Sequence, residues 1–258
     1  MKRALVTGAG ARIGRAMALY LGQHGYDVAV HYATSRSGAD DVVADLSQMG
    51  RNAVALQADL LDESAVQNLI PAAMQALGGP ITCLINNASI FEYDNITSAT
   101  RNNWDRHMES NLRAPFVLTQ ALATTAPEPL YDAQNEPLAQ ALVINMIDQR
   151  VRKLTPEFMT YTIAKMGLWA FTQTAARALA PKVRVNAIGP GPTLQGARQS
   201  ANHFAAQRRN TILQRGAGTD DITGALGYFV NATAVTGQLL CVDGGQHLGW
   251  KTPDVQND

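Results

Sequence analysis

The sequence predicts one α/β domain, a doubly wound parallel sheet of about seven strands flanked by helices. Short, continuously apolar runs alternate with longer stretches of helical periodicity along the chain. Such runs are typical of strands buried on both faces, and a helix between them gives the right-handed crossover of a parallel sheet. No shift of composition, repeat or low-complexity tract divides the 258 residues, so we expect residues 1–258 to form a single domain.

The predicted strands are short apolar runs bounded by polar or turn-forming residues. In chain order they are Lys2–Thr7, Val28–His31, Ala53–Gln57, Thr82–Ile85, Ala141–Asn145, Arg184–Ala187 and Gln238–Val242. The predicted helices repeat apolar residues at helical spacing. They are Ile13–His24, Ala39–Met49, Glu63–Leu77, Trp104–Ala123, Tyr161–Leu179 and Ile222–Phe229.

Two stretches lack such periodicity. Pro127–Pro137 is predicted to be a polar loop. Pro190–Gln214 follows the sixth strand, where folds of this class often carry a mobile lid, and we expect a substrate lid there.

The composition excludes several classes of function. With 21 basic and 21 acidic side chains the formal charge is zero, so we expect no nucleic-acid partner. No apolar run approaches the roughly 18 residues of a membrane span. Cys83 and Cys241 lie in predicted strands and are expected to be reduced, and the cysteines and histidines show no metal-ligand spacing. The N-terminus faintly resembles a signal peptide, but Gly8 and Gly10 interrupt its apolar run and Arg12 ends it, so we expect a soluble cytoplasmic protein without a metal.

A glycine-rich motif joins the first strand to the first helix. It contains Gly8, Gly10 and Gly14, with Arg12 and Ile13 among them. Glycines allow a sharp turn and a close approach of the backbone to a ligand, while a helix N-terminus attracts a pyrophosphate. The strand–turn–helix context favours a dinucleotide site; the alternative is an ordinary glycine-rich connection.

The end of the second strand favours NADPH over NADH. NAD sites place an acidic residue about 20 positions after the glycines. Here the stretch from His31 and Tyr32 to Ser37 has no acid and contains Arg36, whose guanidinium can pair with a 2′-phosphate. The alternative is that Arg36 is a solvated loop charge.

Tyr161 and Lys165 are four residues apart on a predicted helix, so both side chains can face one site. A nearby ammonium favours phenolate, and we expect it to lower the pKa of Tyr161 towards neutrality. Asp148 ends the fifth-strand region thirteen residues earlier, near the same edge of the sheet. The alternatives are an exposed Tyr–Lys pair and an Asp148 that only caps a helix or turn.

Together these motifs resemble the short-chain dehydrogenase/reductase family over nearly the whole chain, which implies a Rossmann-like fold. The matching positions are the glycine motif, Asp59, Asn86-Asn87-Ala88, Asn111, Tyr161 with Lys165, Asn186 to Pro192, and Val242 to Gly245. The resemblance implies that Tyr161 donates a proton, that Lys165 binds the nicotinamide ribose and tunes Tyr161, and that Asn111 supports a proton-relay water.

The resemblance also implies the remaining cofactor contacts. Asp59 would contact the adenine and Asn87 the region of the cofactor ribose. The full cofactor set is Gly8, Arg12, Ile13, Gly14, His31, Tyr32, Arg36, Asp59, Leu60, Asn87, Ala88, Ser89, Lys165, Pro190 and Gly191.

Departures from the family pattern narrow the function. Asp148 stands where most members have serine, Ser89 where glycine is usual, and Arg12 is uncommon at its position. These changes resemble the pteridine reductases and dihydromonapterin reductases, as does Phe91, which would sandwich a pterin ring against nicotinamide. The implied substrate contacts are Arg12, Ser89, Phe91, Asp148, Tyr161 and Pro190.

The chemistry of a pterin suits this change. A carboxylate in place of serine would repel the oxyanion that develops on a ketone, whereas pterin ring nitrogens must gain protons as hydride adds to the adjacent carbon. We therefore expect an NADPH-dependent reductase of a pterin, dihydropterin or dihydrofolate-like ring, with Tyr161 and Asp148 as the acids. In the alternative, Phe91 is a core side chain and Arg12 binds phosphate only.

Two other functions stay open at this point. One is a carbonyl reductase of the same family acting on a ketone, a sugar or a 3-oxoacyl thioester. The other is a non-catalytic nucleotide-binding protein, which the intact Asn111, Tyr161 and Lys165 disfavour. By analogy with the family we expect a homotetramer packed through the helices Trp104–Ala123 and Tyr161–Leu179 and the C-terminal strand.

Overall fold

The computed structural model describes residues 2–196 and 199–250, and its central layer is a parallel sheet of seven strands. The sheet order is β3-β2-β1-β4-β7-β8-β9. The seven strands are β1 (Lys2–Val6), β2 (Tyr26–Tyr32), β3 (Ala53–Gln57), β4 (Cys83–Asn86), β7 (Ala141–Met146), β8 (Val183–Pro190) and β9 (Leu239–Val242). All seven predicted strands are confirmed. The order reverses between β1 and β4, where such sheets open a ligand crevice at their carboxyl ends.

Helices cover both faces of the sheet, as the continuously apolar strands predict. They are α1 (Arg12–Gln23), α2 (Arg36–Gln48), α3 (Glu63–Leu77), α4 (Arg101–Met108), α5 (Ala114–Thr125), α6 (Met159–Leu179), α7 (Ala201–Arg209) and α8 (Thr219–Asn231). One core lies between the sheet and α1, α2 and α8; the other lies between the sheet and α3, α5 and α6. Within β1, Ala4 and Val6 face the first core and Leu5 the second.

The predicted helix Trp104–Ala123 is not continuous. It is α4, a π-helical turn over Glu109–Arg113, and α5. The Ala114 N–H bonds the carbonyl of Glu109, five residues back, which is the π-helical pattern. Such an insertion leaves the apolar periodicity on either side intact, so a search for periodicity alone cannot detect it.

The predicted loop at 127–137 contains a short antiparallel hairpin, β5 (Leu130–Tyr131) and β6 (Pro137–Leu138). The Asp132 carboxylate accepts the N–H groups of Gln134 at 2.9 Å and Glu136 at 2.8 Å and so closes the turn. Strands of two residues are too short to give an alternating pattern, which explains why the sequence predicts only a loop.

The segment after β8 contains α7, which the sequence analysis missed. Arg208 anchors this helix, because its guanidinium donates to the carbonyls of Pro192, Gly216 and Ala217 at 2.6–2.9 Å. Residues 197 and 198 of the predicted lid lie outside the described residues, and its mobility stays a prediction.

Cys83 and Cys241 are both free thiols on strands. Across the described ranges, no helix has the length and apolar character needed to cross a bilayer.

Candidate active site

Asp148, Tyr161 and Lys165 meet at the carboxyl edge of the sheet. Asp148 follows β7 and caps a short 3-10 turn, while Tyr161 and Lys165 lie one turn apart near the start of α6. The Tyr161 hydroxyl donates to Asp148 Oδ2 at 3.0 Å. Lys165 Nζ donates to the carbonyl of Met146, the last residue of β7, at 2.8 Å. The structure thus brings the predicted acid–base residues together.

Burial determines how these three groups hold protons. It raises the pKa of Asp148, although the Arg150 N–H and the nearby cations partly oppose it. Burial and the charge of Asp148 raise the pKa of Tyr161 well above its ordinary value. Burial also lowers the pKa of Lys165 to about 8.

The expectation that Lys165 lowers the pKa of Tyr161 is therefore wrong for this arrangement. Lys165 Nζ lies 5.7 Å from the centroid of the Tyr161 ring, whereas Asp148 bonds the hydroxyl directly. Desolvation and the adjacent carboxylate both disfavour phenolate. Tyr161 consequently keeps its proton at neutral pH and is poised as an acid.

Phe91 forms one wall of the site and is not a core residue, since half of it (50%) is exposed. Its ring stacks on Phe158 with centroids 4.3 Å apart and planes 9° apart, and it meets the edge of Tyr161 at 4.7 Å. The sequence analysis missed Phe158. Its left-handed backbone (φ 55°), unusual for a bulky residue, places the ring beside Phe91 just before α6 begins, and helical periodicity gives no signal for such a residue.

A buried polar chain ties the Phe91 segment to the start of α6. The Glu92 N–H donates to His107 Nε2 at 3.1 Å, so His107 donates from Nδ1 to the Thr160 hydroxyl at 2.7 Å. That hydroxyl in turn donates to Asp94. Burial lowers the pKa of His107, which suits the neutral ring that this chain requires. These residues were also missed, because only the folded chain brings them together.

Asn111, in the π-helical turn, is buried and bonded to one residue. Its Nδ2 donates to the Ile90 carbonyl at 2.8 Å, and its Oδ1 accepts the Ile90 N–H at 2.9 Å. Asn111 therefore positions the segment that carries Ser89 and Phe91. Its predicted role in a water relay stays a prediction.

The glycine motif forms a cradle at the N-terminus of α1. Gly8 has a φ of +64°, and a Cβ on Gly14 would overlap the Gly8 carbonyl and approach Asn87 Nδ2 to 2.6 Å. Asn87 Nδ2 itself donates to the Thr7 carbonyl at 2.8 Å. Among the described residues, no side chain bonds the N-terminal N–H groups of α1, so its positive end is open to an anion. This cradle fits the phosphates of a dinucleotide.

His31 bonds the backbone of the glycine turn and is almost fully buried. Its Nδ1 accepts the Gly8 N–H at 3.0 Å, and its Nε2 bonds the Ala58 carbonyl at 3.1 Å. The ring was predicted to contact the cofactor, but both of its nitrogens are used by the backbone. The structure thus places His31 behind the turn.

The other predicted cofactor residues surround this cradle. The Ala88 N–H donates to the Thr7 hydroxyl. Of the others, Tyr32 and Leu60 are buried, Ile13 is half-buried, and Asp59 and Ser89 are exposed. Pro190 ends β8 and Gly191 follows it, and a Cβ on Gly191 would crowd Asp243. The Arg36 side chain is 77% exposed and pairs with Asp40 at 3.5 Å; an ion pair this exposed contributes little, so the guanidinium can exchange Asp40 for a 2′-phosphate.

Arg12 spans the cleft, which the sequence analysis did not anticipate. Its guanidinium donates to the carbonyls of Leu194 at 3.1 Å and Gln195 at 2.9 Å, both beyond β8. Its predicted contacts with phosphate and pterin stay predictions.

A cavity of about 620 Å³ opens beside Phe91 and Phe158. Its walls carry three aromatic rings, Phe91, Tyr93 and Phe158, and one guanidinium, Arg150. Polar residues of α7 and the stretch before it complete the lining, including Gln199, His203 and Gln207. The acid–base residues themselves are not among the lining residues; Phe91 connects the two, because its ring lines the cavity and also meets the edge of Tyr161.

Known proteins match this chain over nearly its full length. The family model described as enoyl-(acyl carrier protein) reductase matches residues 8–247. The crystal structure of alternative dihydrofolate reductase 1 (FolM) from Brucella suis in complex with NADP superposes with a TM-score of 0.91 at 39% identity, covering 98% of each chain.

Two curated relatives carry descriptions other than dihydrofolate reductase. An uncharacterised oxidoreductase of Methylorubrum extorquens is 31% identical over 95% of this chain and 97% of its own length. A 3-oxoacyl-[acyl-carrier-protein] reductase of Staphylococcus aureus is 29% identical over 96% of this chain and 98% of its own.

Proposed function

This chain belongs to the short-chain dehydrogenase/reductase family, and we propose that it is an NADPH-dependent reductase of a pterin, dihydropterin or dihydrofolate-like ring. One observation carries the proposal: a half-buried carboxyl, Asp148, bonded to the Tyr161 hydroxyl at 3.0 Å beside the half-exposed Phe91. The likeness to a dihydrofolate reductase crystallised with NADP supports the same activity and cofactor.

The residues divide the work between binding and proton supply. The cofactor supplies a hydride when bound. Gly8, Gly14 and the N-terminus of α1 would hold its phosphates, and Arg36 its 2′-phosphate. Lys165 Nζ, fixed on the Met146 carbonyl, would address its ribose.

Proton supply rests on the coupled pair. Tyr161 and Asp148 both have raised pKa values and share a hydrogen bond, so the pair retains a proton that it can deliver to a substrate. Tyr161 delivers that proton to the ring nitrogen adjacent to the carbon that is reduced. Asp148 stabilises the neutral phenol before transfer and serves as the second acid for a fully oxidised pterin.

The same pair disfavours a ketone as substrate. A carbonyl oxygen gains negative charge as it is reduced, and an ionised Asp148 next to Tyr161 would raise the energy of that state. A ring nitrogen also receives an electron pair as hydride adds to its carbon, but it is more basic than a ketone oxygen and takes its proton earlier, so less negative charge develops next to the carboxylate.

Oxidation of NADPH on addition of dihydrofolate or dihydrobiopterin tests the proposal. We expect turnover of at least one of them and expect Asp148→Ser to reduce it about 100-fold or more, the scale of a lost proton donor. Asp105→Ser, an exposed carboxylate paired with Arg101, is the matched control and should leave the rate within twofold. The proposal is wrong if neither compound is reduced while a ketone or 3-oxoacyl thioester is.

A second candidate is a carbonyl reductase of the same family. It is favoured by the 3-oxoacyl reductase relative, and the Asn111, Tyr161 and Lys165 set suits it equally. It gains support if Asp148→Ser leaves turnover of a ketone or thioester unchanged or raises it.

We also propose that the chain forms a homo-oligomer, a tetramer by family analogy, in the cytoplasm. A shallow apolar groove between α5 and α6 supports this, with Phe116 partly exposed beside Phe171. Light scattering should give four times the chain mass, and a monomer would refute the proposal.

A further inference from the structure

Arg150 places a positive charge in the wall of the cavity without using it for an ion pair. Its guanidinium donates to the Thr155 hydroxyl and lies with its central carbon 5.1 Å from the centroid of the Phe158 ring. Its Nε is buried and has no hydrogen-bond partner. Among the described residues no carboxylate lies within salt-bridge distance of it, and Asp148 is bonded by the Arg150 backbone N–H instead.

A buried N–H donor on a cation is costly to leave unpaired, by more than a neutral donor. Native proteins rarely carry such groups unless water, an ion or a ligand completes them. Because Nε itself is inaccessible, an acceptor in the cavity would be met by the terminal nitrogens of the guanidinium, since Arg150 forms part of the cavity wall.

The surroundings of Arg150 define the chemistry of that acceptor. The Arg150 guanidinium lies over the Phe158 ring, and Phe158 stacks on Phe91. This stack places a positive charge at one end of two aromatic rings in the cavity wall. None of the described lining residues is acidic, and Gln199, His203 and Gln207 are polar. A complementary ligand has an aromatic body and a carboxylate beyond it.

We propose that the cavity beyond Phe91 is a subsite for the anionic benzoyl-glutamate tail of a folate-type substrate, with Arg150 pairing a tail carboxylate. The inference rests on the proposed reduction of a pterin-like ring and selects, within that class, dihydrofolate over pterins with a short neutral side chain. The 620 Å³ of the cavity is of the size that encloses most of a drug-sized ligand.

The test compares kcat/KM for dihydrofolate with kcat/KM for dihydrobiopterin, which shares the reducible ring and lacks the tail. In the native protein we expect the dihydrofolate KM to rise with ionic strength and the dihydrobiopterin KM to change much less. Arg150→Met should lower the ratio of the two kcat/KM values by roughly 10- to 100-fold, the scale of a charge-assisted hydrogen bond. The loss should appear in KM for dihydrofolate.

Two matched variants separate charge from structure. Arg150→Lys keeps the charge and should recover part of the ratio. Arg101→Met removes an exposed arginine on α4 and should leave the ratio unchanged. Competitive inhibition by p-aminobenzoylglutamate, present in the native protein and weakened in Arg150→Met, gives a second readout that needs no turnover.

The outcomes separate the two proposals. If neither substrate is reduced by the native protein, the proposed function fails. If both are reduced and Arg150→Met lowers both kcat/KM values equally with a shifted pH profile, Arg150 acts on Asp148 electrostatically and the subsite is refuted. If Arg150→Met does not fold, absence of both salt dependence and inhibition by the tail fragment in the native protein refutes it.

Discussion

The cofactor side and the substrate side of the cleft differ in how completely their polar groups are satisfied. Around the glycine turn, the Thr7 hydroxyl accepts the Asn87 N–H, Asn87 Nδ2 donates to the Thr7 carbonyl, and His31 accepts the Gly8 N–H. Around the acid–base pair, Phe91 is half exposed and Arg150 Nε lacks a partner. The turn of a cofactor site can be held by hydrogen bonds before its ligand binds, whereas a substrate site retains groups that only the ligand pairs. From this difference we expect substitutions on the cofactor side to lower stability and substitutions on the substrate side to lower turnover.

The largest effect is expected on the substrate side. Tyr161→Phe removes the proton donor and should lower kcat about 100- to 10,000-fold. The hydroxyl bonds Asp148 and also interacts with Ser89, but because the raised pKa of Asp148 allows that carboxyl to become neutral, the melting temperature should change little. Steady-state kinetics, NADPH fluorescence and thermal unfolding check this. A parallel loss of NADPH affinity would break the comparison between the two sides.

The next effect concerns Lys165, which lies between the two sides. Its pKa falls from 10.5 in the unfolded chain to about 8 in the folded protein, so below pH 8 burial of the ammonium costs about 3 kcal/mol. Between pH 8 and 10.5 the unfolded chain holds a proton that the folded protein has released. Stability relative to Lys165→Met should therefore rise by about 3 kcal/mol across that window.

Denaturant unfolding of the two proteins at several pH values measures this difference. Cys83, Cys241 and Tyr26 also titrate at high pH, but they are common to both proteins and cancel. A flat or falling difference would mean that Lys165 stays charged in the fold, and would remove the electrostatic cost assigned to it.

The smallest effect is expected on the cofactor side. A methyl group at Gly14 meets the Gly8 carbonyl, so Gly14→Ala should lower the free energy of unfolding by about 1–3 kcal/mol and weaken NADPH binding together. Gly224→Ala, on α8 with open space around its added methyl, is the control and should raise stability by up to about 1 kcal/mol. Loss of NADPH binding at full stability would show that the cradle is not preassembled.

Much of the fold could be predicted because burial on both faces of the sheet leaves a plain signature in the strands. The acid–base residues could be predicted too, since Asp148, Tyr161 and Lys165 follow sheet-edge and helical spacing. What could not be predicted depends on tertiary contact. The ring of Phe158 lies in the site through a left-handed backbone, and the His107–Thr160–Asp94 chain joins residues up to 66 positions apart.

The predicted direction of the Tyr161 pKa shift was wrong for a related reason. The four-residue spacing places Lys165 on the same helix face as the phenol. It gives no information about how deeply Tyr161 is buried or about its direct hydrogen bond to Asp148. Desolvation is a property of the assembled cleft, and here it outweighs the ammonium.

The π-helical turn at Glu109–Arg113 has a geometric consequence for the whole rod formed by α4 and α5. One surplus residue in a helix rotates everything beyond it by about 100° around the axis. That rotation lets α4 lie along α6 at the mouth of the cleft while α5 lies along α3 over the sheet. Deleting a single residue there would restore a straight cylinder, swing the amide of Asn111 off Ile90, and misalign the two halves of the molecule in one step.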